Sequence, residues 1–110
     1  MKRLLLGSLI VSASLISSGT AFAYQVKGAG VSSCGSYLQN SVQSPKLEHL
    51  GDMHWVYGFI TGVNYSRDSS YGDGVDLAGI EAFLDSYCKK NPLSNLADAS
   101  IALVRELHNR

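Results

Sequence analysis

Three observations predict an all-α fold for this chain, a small four-helix domain with one disulfide. Apolar residues recur at spacings of three and four along most of residues 33–110, the period of helices with one buried face. No stretch alternates apolar and polar residues with β-branched enrichment, as a half-buried strand would. Two cysteines, Cys34 and Cys88, fall within the helical pattern rather than in a Cys-x-x-Cys pair.

Residues 1–23 read as a secretory signal. Met1-Lys2-Arg3 is a short basic start, Leu4 to Ile16 is apolar, and the small residues Ala21 and Ala23 fit a cleavage site after Ala23. The apolar stretch is too short to span a bilayer comfortably. Residues 24–32 are small, Gly-rich and aperiodic, and read as a flexible leader into a single helical domain over 33–110. Export also places the cysteines in an oxidising compartment, so a structural Cys34–Cys88 disulfide is expected.

In the first helix, Ser32 or Ser33 supplies the cap, and Cys34, Tyr37, Leu38 and Val42 follow at helical spacing until Pro45. The second runs from about Leu47 to Tyr65, with Leu50, Met53, Val56, Phe59, Ile60 and Val63 on one apolar face. His49, Asp52, Asn64 and Ser66 interrupt its apolar run, leaving far less than the roughly 20 residues a membrane crossing needs. No membrane insertion is expected after signal cleavage. Gly58 and Gly62, one turn apart, suggest a stripe where a neighbouring backbone packs closely, since glycine otherwise costs a helix about 1 kcal/mol.

Residues 66–74 form a polar loop. Asp68, Ser70, Asp73 and Asp76 offer oxygens, but their order does not match a calcium loop ending in glutamate. Asp76 is expected to cap a third helix striped with Leu77, Ile80, Phe83, Leu84, Tyr87 and Cys88, with Lys89 and Lys90 at its end and Asn91-Pro92 as its stop. A fourth helix begins between Pro92 and Leu96, turns Leu96, Ala97, Ile101, Leu103, Val104 and Leu107 inward, and continues essentially to the C-terminus.

Charge excludes one class of partner. Without the signal, seven basic side chains face nine acidic ones, a net −2, and nothing resembles the basic surface that nucleic acid selects. In acid the balance inverts towards +10, counting the seven basic side chains and three histidines.

No catalytic constellation emerges, and no metal or cofactor is expected. His49 and His54, five apart, fall on different helical faces, and His108 lies near the chain end, where a surface position is ordinary. Ser32 lacks the Gly-x-Ser-x-Gly pattern of a nucleophile turn. Glu81 and Asp85 are one turn apart and could share a proton, but their position away from the main apolar stripe places them on a solvated face. Trp55, Tyr57, Tyr65 and Tyr71 could offer an aromatic surface for a ligand or a protein partner, although core and rim packing explain most of them equally well.

The order of these features resembles the HdeA-type periplasmic acid-stress chaperones. Cys34-Gly35-Ser36-Tyr37-Leu38 is similar to their Cys-x-x-aromatic-Leu opening. The run Tyr57-Gly58-Phe59 through Gly62-Val63-Asn64 looks like their glycine-containing second helix, and residues 75–88, "VDLAGIEAFLDSYC", look like the helix that ends in their second cysteine. The resemblance implies export to the periplasm of a Gram-negative bacterium and a homodimer that acid opens. It also implies apolar surface that holds unfolding clients, here Trp55, Tyr57, Phe59, Ile60 and Val63, and acid-responsive carboxylates at Asp76, Glu81 and Asp85. The chain departs from that family in its last helix, where "NPLSNLADASIALVREL" replaces a lysine-rich tail. That tail looks like the Tai-type immunity proteins of type VI secretion, although the cysteines fit them poorly. The functional expectation is a non-enzymatic periplasmic protein that binds other proteins, in its finer form an acid-stress chaperone. The alternative is an immunity or inhibitor protein directed at one secreted effector.

Overall fold

The computed structural model describes residues 24–43 and 46–110 together with Gly7; the rest of the expected signal segment and the expected stop at Pro45 lie outside them. Four α-helices make up the domain: α1 (Cys34–Val42), α2 (Leu47–Arg67), α3 (Leu77–Lys90) and α4 (Leu96–His108). Among the described residues there is no strand, only an isolated bridge between Ser33 and Asn95. No helix among them is long and apolar enough to cross a membrane.

Side chains define three of the four helix starts. Ser33 accepts from the Ser36 N–H, Asp76 from Gly79 and Asn95 from Asp98, each satisfying one donor that a helix N-terminus would otherwise leave orphaned. Asp68, in the left-handed region at φ 49°, ends α2 two residues beyond the expected Tyr65. Asn91 closes α3, and Lys89 and Lys90 occupy its last turn, where cations favour the helix dipole.

The core lies where the four helices meet. Cys34 and Tyr37 of α1, Val56 of α2, Leu84 and Cys88 of α3, and Leu96 of α4 are fully buried. Cys34 and Cys88 form the expected disulfide with Cα atoms 4.8 Å apart, tying α1 to α3. Backbone bonds from Cys34 N–H to the Ser94 carbonyl (2.8 Å) and from Leu96 N–H to the Ser32 carbonyl (2.9 Å) join the starts of α1 and α4.

Several side chains sit elsewhere than the apolar pattern predicts. In α2 the inward stripe is His49, Asp52, Met53, Val56 and Ile60, while Leu50 is exposed. Hydrogen-bond partners on α1 and α3 make burial of these polar groups affordable, so α2 is rotated relative to a purely apolar reading. Leu77 of α3 is likewise exposed.

The leader is more ordered than its composition suggests. Gly28–Val31 forms a short 3-10 helix, and Gly30 is buried against Trp55. A Cβ on Gly30 would fall within the indole ring, so only glycine allows this approach. Gly58 and Gly62 behave oppositely. Both are exposed, and among the described residues nothing beyond the local helix backbone lies within 4 Å of where a Cβ would stand, so the close backbone packing expected there is not made among them.

Candidate functional site

The polar side chains of the inward α2 stripe meet carboxylates from α3 and an amide from α1. His49 Nε2 lies 2.8 Å from Glu81 Oε1, and Asn40 Nδ2 donates to Asp52 Oδ2 at 2.9 Å. Tyr37 of α1, fully buried, packs its ring 5.6 Å from that of His49 and points its hydroxyl at Met53 Sδ, 3.8 Å away. Burial above all, and then the neighbouring Asp85, Glu81 and Asp52 carboxylates, push the Tyr37 hydroxyl far above the ordinary tyrosine range. Two shielded atoms in this cluster, His49 Nδ1 and Asp85 Oδ1, have no hydrogen-bond partner among the described residues.

Glu81 and Asp85 are therefore not on a fully solvated face. Both are half-buried and turned towards α1 and α2. Their position beside the stripe of Ile80, Leu84 and Cys88 predicts solvent, but a helix packed against both α1 and α4 buries more than one stripe. Asp76 belongs elsewhere. Its carboxylate accepts from the Gly79 N–H at 2.7 Å as the cap of α3. Asp52 was noted in the sequence only as an interruption of the apolar run, yet it is nearly fully buried. Its position one turn before Val56, at the spacing of the core residues, was the available signal.

The expected contact surface divides in three. Ile60 is a core residue, only 7% exposed. Trp55 lies beneath the leader, donating from Nε1 to the Lys27 carbonyl at 2.7 Å and stacking on Phe59 with ring centroids 5.5 Å apart. Tyr57, Phe59 and Val63 remain half-exposed. Beyond Phe59 the space between α2 and α4 opens into a crevice of about 330 Å³, floored by Phe59, Val63, Ile101 and Val104 and edged by Arg67, Arg105 and His108.

The other histidines lie at the surface. His54 sits 6.4 Å from the Tyr57 ring, and His108 Nδ1 is 2.8 Å from the Tyr71 hydroxyl. Tyr71 is placed by Asn64, whose side chain accepts from the Tyr71 N–H and donates to its carbonyl, organising the polar loop. Among the described residues no three His, Cys, Asp or Glu side chains converge as metal ligands would.

Comparison with known proteins places this arrangement beside no relative: no family model matches the chain, and no curated protein or solved structure does.

Proposed function

We propose that the protein is a non-enzymatic periplasmic factor of HdeA type that binds other proteins, and that acid releases its apolar surface to hold unfolding clients. The observation that supports this reading is the cluster of Asp52, Glu81 and Asp85 with His49 and Tyr37 at the junction of α1, α2 and α3. Acid neutralises carboxylates and charges histidine. The His49–Glu81 and Asn40–Asp52 contacts tie α2 to α3 and to α1, so their loss favours opening of the junction. The disulfide keeps α1 and α3 linked while they separate, which suits a reversible response. Homodimerisation at neutral pH forms part of the same proposal.

Trp55 is the only tryptophan, and its contacts join the leader to α2, so it reports on this opening. On lowering the pH from about 7 to about 2, the oxidised protein is expected to show a reversible, cooperative change in tryptophan fluorescence. New binding of an apolar dye and suppression of client aggregation should accompany it. Glu81→Gln, which removes the ionisable partner of His49, should alter the midpoint. A flat response overturns acid activation. The immunity or inhibitor alternative would then lead, with the ordered α4 as the feature that favours it.

A further inference from the structure

We propose that the crevice between the C-terminal halves of α2 and α4 docks an apolar segment of a partner protein that carries carboxylates at one end. The proposal rests on the protein-binding reading and gives the partner a chemistry.

Two features define the occupant. Phe59, Val63 and Ile101, each half-exposed, form an apolar floor over the buried Val104. Arg67 and Arg105 stand at its edge, and neither has a carboxylate within salt-bridge distance among the described residues. No acidic side chain lines the crevice. Glu106 is taken up at 3.8 Å by Arg110, and Asp68, which follows Arg67, is not part of the wall. His108 adds a third nitrogen group at the same end. On a mature chain expected to be net acidic, this is a local basic rim around an apolar strip, complementary to an apolar segment with acidic flanks.

Offset of the helix dipoles explains the placement of arginines near the ends of α2 and α4. It does not explain the three half-exposed apolar side chains, Phe59, Val63 and Ile101, beside them. The chain itself demonstrates what the neighbouring stretch accepts. One turn before Phe59, the leader lies on Trp55, with the Lys27 carbonyl accepting from Nε1 and Gly30 pressed against the indole. Phe59, stacked on Trp55, marks where this cover ends and the open crevice begins. From Phe59 to Arg67 the open strip is about 12 Å long at the helical rise, room for about two turns of a helix or four extended residues.

The test uses the oxidised protein at neutral pH and a fluorescein-labelled, C-terminally amidated peptide of about eight residues, rich in leucine and ending in two glutamates, beside a twin ending in two lysines. The acidic peptide should bind saturably in fluorescence anisotropy, and the lysine twin about tenfold more weakly or worse. In the doubly substituted R67E/R105E protein the preference should reverse. The milder R67Q/R105Q protein should lose the preference without reversing it, which keeps the test sharp if charge reversal disturbs folding. Equal binding of the two peptides, or an acid preference retained by the substituted proteins, overturns the proposal. So does a concentration-dependent dimer that R67Q/R105Q abolishes, since the occupant would then be a second copy. Acid-client protection by both wild type and R67Q/R105Q, with no charge preference among peptides, leaves the broader reading standing and removes this one. Charge-dependent docking without any client protection does the reverse.

Discussion

Tyr37 shows most clearly how single residues are held. Its hydroxyl ionises near pH 10 in the unfolded chain, whereas burial and the Asp85, Glu81 and Asp52 carboxylates keep it protonated well above that in the fold. The folded state therefore retains a proton that the unfolded state loses. The resulting stability is fully present below about pH 10 and declines as pH rises towards the folded value, by about 1.4 kcal/mol per unit. Tyr37→Phe should flatten this alkaline loss, read from urea unfolding between about pH 9 and about pH 11. Tyr57, also shifted upwards by burial and Glu81, contributes in the same direction in both proteins, so the difference isolates Tyr37. Equal slopes would show that the hydroxyl is not shielded as its surroundings require. Tyr37 was legible in the sequence as a core residue by its spacing from Cys34; its carboxylate neighbours were not, because they come from α2 and α3.

Among elements, the helix starts were the most legible part of the chain. Ser33 and Asp76 occupy positions where their side chains alone reach the free N–H groups, a local geometry that needs no tertiary partner. Asn95 caps α4 in the same way while its backbone pairs with Ser33, so it serves two helices at once. Asn95→Ala should cost about 1 kcal/mol in urea unfolding, the typical loss for a removed cap. A loss indistinguishable from zero would mean that the bridge to Ser33 carries the start of α4 unaided. The leader was read less well. Its glycines signal flexibility in isolation, and only the indole of Trp55, more than twenty residues away, turns Gly30 into a packing requirement. In α2, periodicity placed Leu50 inside and left His49 and Asp52 as interruptions; the partners that reverse this arrangement, Glu81 and Asn40, lie on other helices.

At the scale of the whole molecule, the Cys34–Cys88 bridge closes a long loop around the core. A separation of 54 residues corresponds to about 4 kcal/mol in the chain-entropy account, set against the 5–15 kcal/mol typical of a domain. Reduction at neutral pH should lower the urea midpoint accordingly, and an unchanged midpoint would show that the helices hold together without it. Composition, period and cysteine placement were enough to establish four helices, most of their ends and the one disulfide, because each depends on interactions along a few residues or on the only pair available. Which polar side chains are buried, which glycine is pressed against an aromatic ring, and where apolar surface stays open between arginines were decided only by the packing of helices against one another. A buried carboxylate or an uncovered crevice is defined by what stands opposite, and residues distant in the chain supply it.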